Sequence, residues 1–346
     1  MSGISMSTKE EILEKLKQAD GYVSGQQLCQ GLGISRTAVW KAVGKLREEG
    51  YPIEAVTNRG YRLREVAGAD LLNRERLEAC MRTDWAGRPV LYKKETLTTQ
   101  QDAVQLSDQG APEGTLVVTS MQTGGRGRRG RTWISPPDVN IYMSILLRPR
   151  IRPETAPMVT LVMALAVYRA SLDLPVQEGR TCRFGIKWPN DIVASVDGGP
   201  YRKLAGILTE MRLEEREIRD IVIGTGLNIN QTEFPEEIRE TASSYRLVTG
   251  RSVNRASFTA AIWKYFEEDY SLFLRARSLA PVREAYEEGL VNKGRTVRVL
   301  DPAGPFTGTA GGITDTGEMI VTPRAGGPDR IISSGEVSVR GVEGYV

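Results

Sequence analysis

Residues 124–131 read GGRGRRGR, four glycines and four arginines in eight positions. Such a stretch has three readings: a disordered RNA-binding Arg/Gly tract, a basic tail lying inside the chain, or a folded loop built around an anion. Its flanks decide between them. GTLVVTS (114–120) on one side and, after TWISPPDV, NIYMSILL (140–147) on the other are apolar, β-branched runs that predict strands. Disordered Arg/Gly tracts sit in low-complexity sequence, and this one does not. It is therefore a loop inside a folded domain. Glycines let successive backbone N–H groups converge on an anion, and guanidiniums add planar donors that grip phosphate or carboxylate in pairs. No Gly-Lys-Ser/Thr closes the loop, so it is not a P-loop. Further short strand runs such as IRDIVIGTGLNI alternate with the helical stretches APMVTLVMALAVYRASLDL and SFTAAIWKYFEEDYSLFL. Without a regular βαβ repeat or a Rossmann fingerprint, this mixture predicts an α+β domain around a mixed sheet.

Composition sets the limits. At 346 residues the chain has room for two or three domains. Net charge is +3, from 46 basic and 43 acidic residues, so any nucleic-acid site must be local. There is no histidine. A Ser-His-Asp or Cys-His nucleophile, a histidine-ligated metal and a histidine base are all excluded. Chemistry must run on lysine, arginine, carboxylates, hydroxyls, backbone amides or an oxygen-held metal ion. Cys29, Cys80 and Cys182 make neither a disulfide framework nor a zinc site, and MSGISMSTKEE has no apolar signal-peptide core. No apolar run is expected to approach the ~20 residues of a membrane span. These features predict a cytoplasmic protein with no membrane partner, its translation starting at Met1 or Met6.

From Ser7 to about Glu65 the pattern is helix, turn, helix, turn, helix and an extended pair. TKEEILEKLKQAD puts Ile12, Leu13 and Leu16 on one face; Ser24 is placed to cap a second helix that Gly33 ends. In SRTAVWKAVGKLREEGY, with Ser35 as N-cap, Val39, Val43 and Leu46 form the buried stripe. Arg36, Thr37, Trp40, Lys41 and Gly44 turn the other way. YPIEAVTNRGYRL alternates around Asn-Arg-Gly and predicts a hairpin wing. The order is that of a winged helix-turn-helix whose third helix reads a DNA major groove through Arg36, Thr37, Trp40 and Lys41, most tightly as a dimer on two half-sites. A three-helix protein-interaction module with solvated charges is the alternative. AGADLLNRERLEACMRTDWAG reads as a charged helical connector. The last fifty residues hold only strands and Gly/Pro/Asp turns, which predict a small β-barrel.

A second cluster lies in FGIKWPNDIVASVDGGPYRKLAGIL. Pro189 keeps its predecessor out of helix, so Lys187 ends an extended segment, Asn190 and Asp191 are turn formers, and Lys203 begins a partner strand. Either lysine alone would pass as a surface residue. Two in one hairpin, beside an arginine loop and with Asp191 as an oxygen ligand, suit a nucleotide-handling site.

GGRGRRGRTWISP, KWPND, RKLAGIL and IGTGLNIN, in this order, closely resemble the biotin protein ligases. The winged helix and small barrel resemble their bifunctional bacterial form, which also represses the biotin operon. The resemblance spans almost the whole chain and implies three domains: a winged helix-turn-helix over 1–66, a biotin- and ATP-binding ligase domain with a class II synthetase-like α+β mixed sheet over 67–290, and an SH3-like barrel over 291–346. It implies biotin and ATP as substrates, Mg²⁺, biotinyl-5′-AMP as intermediate and corepressor, and as partners a biotin carboxyl carrier domain, operator DNA and, with adenylate bound, a second copy of the chain. Arg128, Lys203 and Lys187 are implied as catalytic. Thr98, Thr99, Gln100, Gln122, Gly125, Arg126, Arg128, Lys203 and Gly226 would hold biotin. Arg128, Arg131, Trp133, Lys187, Asn190, Asp191 and Asn228 would hold ATP or adenylate, with Asp191 on the metal. Lipoate ligases, the nearest rival family, lack the arginine loop and Lys-Trp-Pro-Asn-Asp as they stand here. Two departures stand out. Thr98 replaces the family's serine, and Asp138 stands where the family often has glycine, close enough to the arginine loop to pair with it.

Overall fold

The structure, a computed structural model, describes residues 7–19, 21–48, 51–64, 70–301, 304–334, 338–341 and 345–346. The choice between Met1 and Met6, and the boundary expected between residues 66 and 67, lie outside them.

The N-terminal unit consists of α1 (Thr8–Gln18), α2 (Gly25–Leu32), α3 (Arg36–Glu48) and the hairpin β1 (Ile53–Val56) with β2 (Gly60–Leu63). Ser7 and Ser24 each close a capping box, which satisfies helix-end donors that would otherwise be orphaned. Gly33 ends α2 at φ 65°, and the Ser35 hydroxyl accepts from the Ala38 amide at 3.2 Å. Ile12, Leu13, Leu16, Leu28, Val39, Val43 and Leu46 are buried together in a core of their own. That core aims the opposite face of α3 outward, with Trp40 68% exposed.

The central unit runs through α4 (Arg74–Cys80), β3 (Val90–Lys93), α5 (Thr99–Asp108), β4 (Leu116–Thr119), β5 (Ile141–Leu147), α6 (Pro157–Leu172), β6 (Cys182–Lys187), β7 (Asp191–Val196), β8 (Arg202–Glu214), β9 (Glu217–Leu227), α7 (Tyr245–Thr249), α8 (Arg255–Ala276) and α9 (Arg283–Gly289). Its seven strands lie in the order β3-β4-β5-β9-β8-β7-β6. Only β3 and β4 run parallel, so the sheet is mixed as expected. Among its described residues the connector holds one helix, the short α4; Leu72, Leu77 and Met81 around it are buried in the main core, and Asp70 pairs with Arg255 of α8 at 2.6 Å. It is anchored to the ligase unit rather than solvated between units.

The expectation that no apolar stretch approaches membrane-spanning length does not hold. The segment Pro153–Leu172 is, by length and composition alone, long and apolar enough to cross a membrane. Two-thirds of it is buried, because α6 packs between the sheet and α8. Burying a Leu, Val or Met side chain there contributes about 1.5–3 kcal/mol, so its apolarity serves the core.

The C-terminal strands β10 (Thr296–Leu300), β11 (Phe306–Ile313), β12 (Met319–Pro323), β13 (Arg330–Ile332) and β14 (Ser338–Gly341) form an antiparallel sheet ordered β13-β12-β11-β10-β14, the small SH3-like barrel. Val297, Val299, Ala310, Met319 and Val321 belong to the same buried cluster as the central unit. Trp188 stitches the two together: its indole donates to the Gly317 carbonyl at 3.0 Å, and its amide donates to Asn292 Oδ1 at 2.9 Å.

Candidate adenylation site

The floor of the site is made by what β8 and β9 lack. Gly206 of β8 faces Gly226 of β9 across the ladder, and Gly224 lies two residues before Gly226 on the same strand. The indole of Trp133 lies directly on this bare patch. A Cβ at Gly226 would meet Trp133 Cε2 and Nε1 at 2.6 Å, and one at Gly206 would meet Cζ3 at 3.0 Å. Side chains here would lift the aromatic ring off the sheet.

Above the floor opens a cavity of about 980 Å³. Of the residues expected to bind ligands, Thr98, Thr99, Gln100, Gln122, Arg126, Arg128, Arg131, Trp133, Lys187, Asn190, Asp191, Lys203, Gly226 and Asn228 all line it. Gly125 does not; it lies behind the wall, where a Cβ would meet the Trp133 carbonyl at 2.5 Å, and its own carbonyl accepts from the Trp133 amide at 2.9 Å. The arginine stretch is a closed loop, as its flanks predict. Arg126 bridges Thr132, the Gly127 amide donates to the Arg131 carbonyl at 2.7 Å, and Arg128–Gly130 form one 3₁₀ turn with Arg129 at φ 59°.

At one end, α5 and the loop before the arginines supply uncharged polar groups. Gln122 Oε1 accepts from the amide of Thr99 at 2.9 Å and from its hydroxyl at 3.2 Å, and that hydroxyl also meets Ser144 Oγ at 2.7 Å. Thr98 is the N-cap of α5, its hydroxyl accepting from the Gln101 amide at 3.1 Å. Any N-cap hydroxyl meets that need, which is why threonine can stand there. Gln100 donates to the Leu208 carbonyl and to Glu210.

The other end is charged. Lys203 Nζ lies 2.6 Å from Asp191 Oδ1, and Asp191 Oδ2 accepts from the Tyr345 hydroxyl at 2.6 Å. Burial raises the Asp191 pKa, but Lys203, Tyr345 and Lys187 outweigh it and hold the carboxyl below its usual range. Lys187 is buried with its ammonium 3.5 Å from the centre of the Tyr345 ring. That burial, only partly offset by Asp191, lowers its pKa to about 8. Arg128 donates to Asn190 Oδ1 at 2.9 Å and to the Ser334 carbonyl of the barrel at 2.5 Å; Asn190 in turn donates to the Ile207 carbonyl. Asn228 is buried beside the floor, donating to the Ser243 carbonyl at 3.1 Å.

Asp191 thus opens β7 rather than a turn, and serves as the counter-charge of Lys203. No cluster of three metal-binding side chains occurs among the described residues. The donor set fits Mg²⁺ as that ion is usually held beside a nucleotide, by one carboxylate together with phosphate oxygens and water. Asp138 forms no ion pair with the arginine loop among the described residues; its φ of 60° lies in the left-handed region, which explains a position that favours glycine. Sequence reasoning missed Tyr345, Ser334, Gly206 and Gly224. The glycine spacing in LAGIL and IGTGL was a usable signal, since facing glycines on paired strands mark a close approach. The first two residues carried none, because only the docked barrel brings them to the cavity.

Comparison with known proteins agrees with this geometry. Residues 92–228 match a family model described as the biotin/lipoate A/B protein ligase family, residues 8–62 a helix-turn-helix domain, and residues 294–340 the biotin protein ligase C-terminal domain. The chain is 36% identical to the bifunctional ligase/repressor BirA of Bacillus subtilis, covering 92% of this chain and 95% of the relative. It is 28% identical to the bifunctional ligase/repressor BirA of Escherichia coli over 93% and 94%. A solved biotin protein ligase from Aquifex aeolicus in complex with biotin and ATP superposes with a TM-score of 0.59 at 28% identity, covering 73% of this chain and 99% of that one. With its glycine floor, its charged cavity and matches that run from the winged helix to the barrel, the chain belongs to the bifunctional biotin protein ligase and repressor family.

Proposed function

We propose that this chain makes biotinyl-5′-AMP from biotin and ATP and transfers the biotinyl group to a lysine of a biotin carboxyl carrier domain, and that the adenylate also makes it a DNA-binding repressor. The observation that carries the reading is the meeting of Lys187, Lys203 and Arg128 at one end of a cavity whose other end is polar and uncharged.

Adenylation forms a bond from the biotin carboxylate oxygen to the α-phosphorus and breaks the α–β phosphoanhydride, releasing pyrophosphate. Two anions must approach, so the chain's task is to neutralise charge without a proton-transfer group, and preset cations do this well in a water-poor cleft. Lys203, oriented by Asp191, bridges the biotin carboxylate and the α-phosphate. Arg128 trades its bonds to Asn190 and Ser334 for the phosphate. Lys187 steadies the triphosphate, and Trp133 stacks on adenine with Asn228 at the ring edge. Arg126 and Arg131 close the loop over the ligand, while Thr98, Thr99, Gln100 and Gln122 hold the biotin head beside the floor that Trp133 covers at Gly226. Asp191 would carry Mg²⁺, which when bound supplies further charge neutralisation to the phosphates. Transfer follows when the carrier lysine attacks the acyl carbon and AMP leaves. ATP, carrier and operator share the cytoplasm, where this activity belongs.

Regulation follows from the loop. An arginine loop rich in glycine is ordered by its anion, so bound adenylate favours a homodimer and thereby two half-sites read through Arg36, Thr37, Trp40 and Lys41. Incubation with ATP, Mg²⁺, biotin and a carrier domain, followed by a biotin blot, tests the enzyme reading; a carrier that gains no ATP-dependent label removes it. Equal operator affinity with and without biotinyl-5′-AMP would remove the corepressor reading.

A further inference from the structure

Tyr345 contacts two of the cavity's charged groups at once without itself being charged. Its hydroxyl donates to Asp191 Oδ2 at 2.6 Å, while the other oxygen of the same carboxylate holds Lys203 at 2.6 Å. Its ring covers the Lys187 ammonium at 3.5 Å.

Two consequences follow from this placement. A carboxylate free to rotate about its χ angles would let Lys203 wander; one with both oxygens engaged from opposite sides cannot, and a side chain locked by a supporting hydrogen bond is what keeps a reacting group in register. The ring acts on the second lysine. Cation and aromatic face attract, most strongly where water is excluded, so the ring holds Lys187 at the cavity wall, at the end where Asp191 and Lys203 also stand.

We propose that Tyr345 is a positioning residue for adenylation: its hydroxyl fixes Asp191 and through it Lys203, and its ring fixes Lys187. The inference rests on the reading of this cavity as an adenylation site. It divides one side chain into two separable jobs, with the hydroxyl acting on the step in which Lys203 meets the reacting oxygens and the ring acting on nucleotide binding.

The test compares Tyr345→Phe and Tyr345→Ala in the full chain, following pyrophosphate release with ATP and biotin each varied, alongside thermal melting. Tyr345→Phe keeps the ring and loses the bond to a charged partner, so kcat for adenylation is expected to fall about tenfold with the KM for ATP little changed. Tyr345→Ala is expected to show the same fall in kcat and, in addition, a KM for ATP raised about fivefold. The KM for biotin stays at the parent's value in both, and phenylalanine rescues the ATP defect of alanine. A Tyr345→Phe variant with the parent's kcat overturns the inference. So does a Tyr345→Ala variant with an unchanged or lower KM for ATP, or a pair of variants that shift both KM values and the melting temperature together, as a merely structural residue would. A parent chain that releases no pyrophosphate overturns the adenylation reading itself, which separates the two failures.

Discussion

The cations of α3 and the cations of the cavity are the same kinds of residue in opposite circumstances. Arg36 and Lys41 stand on a convex, exposed helix face beside Trp40, and the core below fixes only the direction in which that face points. Lys187, Lys203 and Arg128 are each held by a named partner in a partly closed cleft: the Tyr345 ring, the Asp191 carboxylate, and Asn190 with Ser334. A surface that meets a long polyanion gains from adding many weak contacts, each screened by salt. A cleft that must stabilise a transition state gains from a few charges set in place beforehand.

The sharpest way to break this contrast is to remove the best-held cation. Lys203→Met should lower adenylate formation by roughly 10²–10³-fold, the range for loss of one preset electrostatic partner, while operator DNA binding without ligand is unchanged. A variant within threefold of the parent in pyrophosphate release would show that Lys203 is not preset for the reaction. Next comes Arg128→Gly, which should loosen the hold on biotinyl-5′-AMP by about 10–100-fold, as expected for a charge-assisted pair of hydrogen bonds. Retention of adenylate for as long as in the parent, by rapid filtration, would take the phosphate contact away from Arg128.

Acidity gives a third, smaller effect. Lys187 has a folded pKa of about 8, below the 10.5 of an unperturbed lysine, because its charge is buried. Above pH 8 the folded chain gives up that proton before the unfolded chain does, so this residue's contribution to folding stability rises between about pH 8 and 10.5. Nucleotide binding runs the other way, since a neutral amine no longer attracts phosphate. The KM for ATP should therefore climb through pH 8 while the melting temperature does not fall on this residue's account. A KM for ATP that stays flat from pH 7 to 9 would count against Lys187 as a phosphate ligand. The smallest change belongs to the exposed face. Lys41→Ala should weaken DNA binding about uniformly across sequences and reduce the salt slope by about 1, leaving ligase activity intact. A salt slope equal to the parent's would take Lys41 out of the interface.

The same contrast explains what could be read from sequence. In α3 the buried stripe, the Ser35 cap and the outward face all follow from local spacing, and the structure has them where spacing puts them. The cavity was legible wherever function is concentrated in contiguous residues: the arginine loop, Lys-Trp-Pro-Asn-Asp, and Lys203 ahead of an apolar strand. It was not legible where distant segments meet. Asp191 reads locally as a turn former or metal ligand, and only the pairing of β7 with β8 reveals it as the partner of Lys203. Trp188 reads as part of a catalytic motif, yet its buried indole joins the barrel to the sheet. Pro153–Leu172 does not read as one apolar run, because Pro153, Glu154, Thr155, Thr160 and Arg169 interrupt it, yet two-thirds of it is buried.

The buried cluster that runs unbroken from the sheet into the barrel has a calorimetric meaning. Three sequence domains are therefore expected to unfold as two cooperative bodies: the winged helix, with its own small core, and the connector helix, ligase sheet and barrel, whose buried residues join in one cluster. Heat should melt the head apart from the body. The barrel, whose interior is continuous with that of the ligase, should show no transition of its own and should survive or collapse with the cleft that it roofs.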